Sequence, residues 1–424
     1  MRRAALARSV SVNISGRTPA AASRGMLAVL TGAAFLIFAQ AFMIAPILPR
    51  LAQVFDTRVG IIGLAVPAYL VPYGVASLVW GPLADRVGKR PVIIVCLVAF
   101  AGLTAATATA TGASSFILWR AAAGLAASGI IPVGVALIGD VVPYNRRGHA
   151  LGWLFGGMAG GMAIGSTAGA LAEPVVGWAS LFLIIAVAAA IAAVIVAKTV
   201  PARPRRVGRE PYRPVVRGYI DLLHNSRAHR TYSYVGFNAM LHSGIYTWLG
   251  LYLHQRFGLG PTGVGLGLLG YGIPGFVLGP AIGRLADRFG RARLIPAGLA
   301  IGALIAFGLA TPAPLAVVAV LVTVLSLGYD LTQPLLAGIA TDLPARQGQA
   351  VALMAVTLFA GFGVGSLLFQ AALNYGFVVA LSIFGSAALL AAILAVPIFA
   401  RERASLYADR YESAAAATLS DAGP

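Results

Sequence analysis

Twelve apolar runs constrain this chain more than any other feature of its sequence. They lie at about 26–48, 60–82, 91–111, 115–139, 149–172 and 177–198, then at 231–253, 262–284, 293–312, 315–338, 349–372 and 376–398. Each is close to the ~20 residues that an α-helix needs to cross the hydrocarbon of a bilayer. The chain is 59% apolar and only 10% charged, against about 25% charged in soluble proteins. The expected fold is an all-α polytopic membrane protein with twelve transmembrane helices.

The runs form two copies of one unit. Gly81–Arg90 reads Gly-Pro-Leu-Ala-Asp-Arg-Val-Gly-Lys-Arg, and Gly283–Arg293 reads Gly-Arg-Leu-Ala-Asp-Arg-Phe-Gly-Arg-Ala-Arg. Asp85 and Asp287 are 202 residues apart. The same offset relates Gly63 to Gly265, Tyr69 to Tyr271, Pro72 to Pro274, Pro132 to Pro334 and Asp140 to Asp342. It becomes 200 at Gly148/Gly348, Gly161/Gly361 and Ser166/Ser366. A register held over so many positions marks two parallel six-helix repeats. The chain then divides into a basic tail (1–25), a first half (26–198), a Pro- and Arg-rich linker (199–230), a second half (231–398) and a C-terminal tail (399–424).

A net charge of +18 invites a nucleic-acid partner, but the positions of the charges argue against one. With both termini in the cytoplasm, 27 of the 31 Lys and Arg fall in inner segments. Arg50, Arg58 and Arg256 lie outside, and Arg120 lies within the fourth span. This is the positive-inside bias of membrane proteins. The linker suits either anionic lipid headgroups or solvent. The stretch 1–25 reads as a cytoplasmic tail rather than a targeting peptide, because a full-length span follows it. The single cysteine, Cys96, sits in an apolar run and reads as a small packed hydrophobe.

The fifth span holds Gly152, Gly156, Gly157, Gly160, Gly161, Gly165 and Gly169, and the eighth is equally glycine-rich. Small residues let helices approach closely in lipid, so both spans are expected at tight or gliding interfaces.

Twelve spans, two parallel copies and a Gly-x-Leu-Ala-Asp-Arg-x-Gly-Lys-Arg loop after the second span resemble the major facilitator superfamily. Within it the chain is similar to the bacterial drug:proton antiporter and sugar-efflux branch. The resemblance covers about 26–400. Arg120 and Gly124 match a second signature of the family, Arg-x-x-x-Gly in the fourth span. Gly152, Gly161, Gly165 and Gly169 fit the antiporter motif of the fifth span, with Ser166 where the family often has proline. The resemblance implies alternating access driven by a proton gradient, without a bound cofactor. The expected setting is the plasma membrane of a bacterium (the inner one where there are two), with a functional monomer. It also implies a conformational latch between the halves. In the first copy this is Gly81, Asp85, Arg86, Gly88 and Arg90, with Asp140 as the partner of the arginine. Gly283, Asp287, Arg288, Gly290 and Asp342 repeat it. The residues themselves agree in part: Gly88 permits a tight turn, and an acid at a helix C-terminus needs a partner against the dipole.

Ionisable groups inside spans are costly and point to function. Asp330 is the one acid well inside a span. It shares a helix face with Ser326, Tyr329 and Gln333, and its repeat position is Ser128. An acid in low dielectric can change its charge state near neutral pH, which suits a proton carrier; a structural acid paired with an arginine or amide is the alternative. Arg120, with Val322 as counterpart, is by resemblance an arginine of proton coupling or of anion binding; snorkelling to the interface is the alternative. In the seventh span Asn238, His242 and Tyr246 are spaced by four; His242 can titrate near physiological pH, and reads equally as a cavity histidine or a hydrogen-bonded packing one. Gln40 is the strongly polar side chain at depth in the first span, where many proton-coupled relatives have an acid. Gln40, Tyr69, Asn238, Tyr246 and Gln333 are expected to line the substrate cavity, and Asp330, Arg120 and His242 to couple protons. Trp248 and Tyr252 read as interface anchors, and Glu173 as an exposed loop acid.

No Walker loop, paired-carboxylate metal site or Ser-His-Asp set can be placed. The chain reads as a transporter rather than an enzyme. It would expel a small amphipathic or anionic molecule in exchange for protons. Proton symport or facilitated uptake is the first alternative, and a non-transporting receptor or scaffold the second.

Overall fold

The computed structural model describes residues 19–142, 144–200, 212–274, 278, 282, 285, 288–341, 343 and 347–403. The side chains of 19–24, 85, 144–149, 151–152, 212–216, 341, 347–348, 401 and 403 lie outside that description. Among the described residues there is no strand. Ten helices there are long and apolar enough to cross a membrane: Gly25–Val54, Val59–Ala84, Lys89–Thr107, Ala113–Val141, Trp153–Val176, Trp178–Thr199, Arg291–Ala310, Leu315–Ala340, Gln349–Tyr375 and Phe377–Ile398. The seventh predicted span is a continuous helix, Ser226–Phe257, whose Tyr, His and Asn residues make it more polar than the others. The eighth begins as Pro261–Gly267 and is described only in part beyond residue 274.

Glycine spacing builds each half. Along the fifth span, a Cβ at Gly157, Gly161, Gly165 or Gly169 would press into Thr31, Phe35, Ala39 or Met43 of the first span. Both series step by four, one helical turn, so the two helices run parallel in close contact. The second half repeats this with Gly361 on Gly236 and Gly365 on Met240. The fifth-span glycines therefore serve packing inside one half. Two of the eighth reach the other half: Gly265 meets Ala170 and Leu171, and Gly272 meets Ala163.

The duplicated loop takes the same backbone twice. Gly88 has φ 100° and ψ 145°, and Gly290 has φ 80° and ψ 152°. This region is open to glycine alone, which is why both copies of the motif carry it before a basic helix start.

The halves also meet along the second and eleventh spans. The Gln370 side chain donates to the Gly60 carbonyl at 2.8 Å, and the Tyr73 and Phe359 rings are 4.0 Å apart. Phe42 of the first span packs edge-on against Tyr246 and Phe362. Large apolar side chains such as Val98, Leu118, Ile184, Val187 and Ile393 are turned outward, as a lipid-facing surface requires.

Three expectations change. Trp248 and Tyr252 are buried, not interfacial: Trp248 Nε1 donates to the Ser366 carbonyl at 3.1 Å and the Tyr252 hydroxyl to that of Leu309 at 2.7 Å. Each ring has an inward polar partner, which an interface anchor would find in headgroups. Glu173 is 4% exposed rather than a free loop acid, because Arg50 Nε reaches it at 3.3 Å.

Candidate functional site

Two buried polar knots lie in the described bundle, one in each half. In the first half, Gly124 lets the fourth span touch the second, since a Cβ there would collide with the Tyr69 carbonyl. One turn earlier, the same contact brings Arg120 against Tyr69, with its guanidinium 4.5 Å from the ring centre. Arg120 is fully buried. Its Nη1 donates to the Gln40 carbonyl at 2.8 Å and to Gln40 Oε1 at 2.9 Å. Nη2 donates to the Ala41 carbonyl at 3.1 Å, and Nε to that of Ala65 at 3.2 Å. Gln40 and Ala41 belong to the last turn of the helix Pro19–Phe42, where carbonyls lack intrahelical donors and the dipole is negative. Nη1 and Nη2 thus meet a helix end and one side-chain amide, and Nε meets the first residue of the helix Ala65–Val87. The Tyr69 hydroxyl donates to the Ile37 carbonyl at 3.4 Å. Gln40 Nε2 is buried and has no hydrogen-bond partner among the described residues.

In the second half the knot centres on His242. The Tyr271 hydroxyl hydrogen-bonds the His242 ring. The Tyr329 ring stacks on His242 at 4.0 Å, and Tyr246 packs on Tyr271 at 4.1 Å. Asp330, which follows Tyr329 in the tenth span, lies within electrostatic range of the Tyr271 and Tyr329 hydroxyls. Asn238 Nδ2 donates to Gln333 Oε1 at 3.2 Å, joining the seventh and tenth spans. Asn238, His242 and Tyr329 border a small cavity of about 30 Å³ with Gly298, Gly302 and Gly328. Tyr271 sits in a turn that follows the helix Pro261–Gly267 and ends at Gly272, φ 83°. Non-helical backbone at membrane depth is tolerated where it is buried in protein or lines a cavity.

The expected residues therefore gather in two groups. Arg120, Gln40 and Tyr69 form one; His242, Asn238, Tyr246, Gln333 and Asp330 belong to the other. Tyr271 was not singled out beforehand, although it is the repeat counterpart of Tyr69. In each half this tyrosine contacts the buried basic side chain. The repeat register held that signal.

The latch residues are described in part. Asp140 receives Lys89 Nζ at 2.5 Å, and Lys89 also donates to the Ala136 carbonyl at 3.1 Å. Arg90 Nη2 donates to the Ala197 carbonyl, tying the loop to the sixth span. Arg86 is half-buried, and a Cβ at Gly81 would meet open space. Arg288 is exposed, with its guanidinium 5.4 Å from the Phe289 ring centre. The Asp85 side chain, Gly283, Asp287 and Asp342 lie outside the described residues.

Comparison with known proteins follows the same outline. The family model of the Major Facilitator Superfamily matches residues 30–366 and, in a second match, 261–421. The uncharacterized MFS-type transporter YwfA of Bacillus subtilis (strain 168) is 28% identical over 321 residues, covering 75% of this chain and 77% of its own length. The 4-hydroxybenzoate transporter PcaK of Acinetobacter baylyi is 28% identical over 138 residues, 32% of this chain and 30% of that relative. The structure of a D-xylose-proton symporter superposes with a TM-score of 0.72 at 16% identity, covering 88% of this chain and 97% of the other. That of the human organic anion transporter MFSD10 (TETRAN) gives 0.69 at 17% identity, covering 88% and 99%. At these identities the structural likeness is one of fold.

Proposed function

Because the chain belongs to the Major Facilitator Superfamily and is a multi-pass membrane transporter, we propose that it is a proton-driven exporter of a small amphipathic molecule, working by alternating access. The observation that carries this reading is the second-half knot. The Tyr271 hydroxyl meets His242, within electrostatic range of Asp330 and beside a break in the eighth span. A carboxylate, a phenol and an imidazole in sequence can pass a proton between them. The rings of Tyr246, Tyr271, Tyr329 and Phe362 around His242 offer flat apolar faces with polar edges, which suits an amphipathic ligand. The nitrogens of Arg120 are engaged by three backbone carbonyls and the Gln40 amide, so its role in this proposal is to fix Gln40 rather than to hold an anion.

Coupling works only where protonation changes the relative stability of two states. The contacts of Gly60 with Gln370, Gly63 with Trp248 and Gly250 with Pro46 close the halves together at the end away from the linker helix. We assign that end to the outside, so these contacts would part in the outward-open state.

The test is pH-gradient-driven flux of a compound panel in inverted vesicles, comparing wild type with Asp330→Asn. Accumulation that the substitution abolishes supports the exporter. Equal accumulation in both removes Asp330 from the mechanism. Uptake by symport is the second reading, favoured by Ser166. This residue replaces the proline of the antiporter motif, is buried, and bonds back to the Ala163 carbonyl at 3.0 Å inside an unbroken helix. Counterflow direction separates the two.

A further inference from the structure

The linker contains a helix, Tyr212–His224, that belongs to neither half's bundle of spans. Its described side chains form three arcs. Gly218 and Leu222 face the protein: a Cβ at Gly218 would strike the Gln349 side chain, and Leu222 is 2% exposed. Ile220 and Leu223, at 46% and 50% exposed, point nearly the opposite way. Arg217, Asp221 and His224 are also exposed and lie between those arcs on the remaining side. Tyr219 is half-buried at the edge of the apolar side.

A helix of a soluble surface does not spread its apolar arc beyond what the protein covers. This one does, and its location says what covers the rest. It ends one residue before the membrane helix Ser226–Phe257, and Asn225 fixes the corner by accepting the Ala228 N–H at 3.0 Å. Its protein contacts are with that helix and with the start of the eleventh span. The C-terminal part of the linker is thus tied to the starts of the seventh and eleventh spans. Charge gives the chemistry of the surface. Between Lys198 and Arg230 the chain has nine Lys and Arg and two acids, Glu210 and Asp221.

We propose that the helix Tyr212–His224 lies in the plane of the inner leaflet as a binding site for acidic phospholipid. Ile220 and Leu223 sit among the first methylenes of the acyl chains. Arg217 takes the phosphates and anionic headgroups, and the excess of Lys and Arg in the linker sequence favours an acidic leaflet. Interfacial helices likewise set an apolar face in the acyl boundary and a polar one toward the headgroups. The attraction to an acidic leaflet decays within a Debye length. The corner at Asn225 would make lipid composition act directly on the start of the seventh span, the helix that carries His242.

The experiment uses the full-length protein with Cys96→Ser, reconstituted in vesicles of phosphatidylcholine with or without phosphatidylglycerol. A bimane probe is attached at Leu223→Cys or, for comparison, at Asp221→Cys. Quenching is read with brominated acyl chains and with aqueous iodide. The expected result is acyl-chain quenching and iodide shielding at 223, and the reverse at 221. Phosphatidylglycerol should deepen the contrast. Arg217→Gln should reduce that increment, and it should vanish in about 1 M salt, where the Debye length is ~3 Å. Iodide access at 223 in acidic vesicles overturns the proposal. So does acyl-chain quenching that ignores both phosphatidylglycerol and salt, which would mean apolar seating without headgroup recognition. Shielding of 223 from both quenchers, with energy transfer between differently labelled copies, would assign the face to a second copy instead.

Discussion

Arg120 and Gln40 meet twice, through the backbone carbonyl of Gln40 at 2.8 Å and its side-chain Oε1 at 2.9 Å. One guanidinium therefore closes the end of the helix Pro19–Phe42 and orients the Gln40 amide within its last turn. Lysine cannot reproduce that fork, because its three donors radiate from one point. Arg120→Lys is expected to lower stability by about 1–3 kcal/mol, the cost of leaving a buried acceptor unmade, and Arg120→Ala by more. Thermal unfolding of the detergent-solubilised protein measures both. A lysine variant as stable as wild type would show that the charge, not the fork, matters.

Gln40→Glu places a carboxylate where Arg120 already donates. The pair would be charge-assisted, and the first span would carry an acid at that depth. The variant should stay folded and give transport a different pH profile from wild type. An unchanged profile would show that position 40 takes no part in coupling.

Close approach at Gly124 is steric, so Gly124→Leu should destabilise by about 1–3 kcal/mol through overpacking against the Tyr69 carbonyl. Gly102 is the control. A Cβ there meets nothing within 4 Å, and Gly102→Ala in the helix Lys89–Thr107 should gain about 0.5–1 kcal/mol. The two melting curves should shift in opposite directions.

Cross-half closure can be trapped. An ideal Cβ at Gly265 lies 2.9 Å from that of Ala170, and a shift of several tenths of an ångström reaches disulfide geometry. With Cys96 replaced, Gly265→Cys/Ala170→Cys should stop flux on oxidation and recover it on reduction. Full flux through the oxidised pair would rule out separation of the fifth and eighth spans during transport.

Acid should release the C-terminal segment. Glu402 follows the last span, is buried, and receives Arg227 at 2.8 Å and Arg230 at 2.9 Å. Burial alone would raise its pKa, but the hydrogen bonds and charges of the two arginines outweigh this and hold it below the ordinary 4.5. A folded-state pKa below the unfolded one gives stability that is present above pH 4.5 and lost as pH falls through the folded value. Wild type should therefore melt higher than Glu402→Gln at neutral pH, with the gap narrowing below about 4.5. A constant gap across that range would break the linkage.

Several features were legible without coordinates. Twelve runs of membrane length, the 202-residue register and the uneven placement of Lys and Arg follow from hydrophobicity and charge along the chain, and lipid enforces both locally. Gly88 and Gly290 were legible for a similar reason: a positive φ of 100° or 80° is a property of one residue. Only the tertiary structure decided which polar side chains meet. Arg120 and Gln40 are 80 residues apart, and Tyr271 lies 29 from His242. Their contacts depend on how closely the glycines let helices approach and on which face each helix turns inward. The same cause moved Trp248, Tyr252 and Glu173 from the expected surface into the protein. Their polarity was visible in the sequence, but the partner that satisfies each comes from a distant span, and no local pattern specifies it.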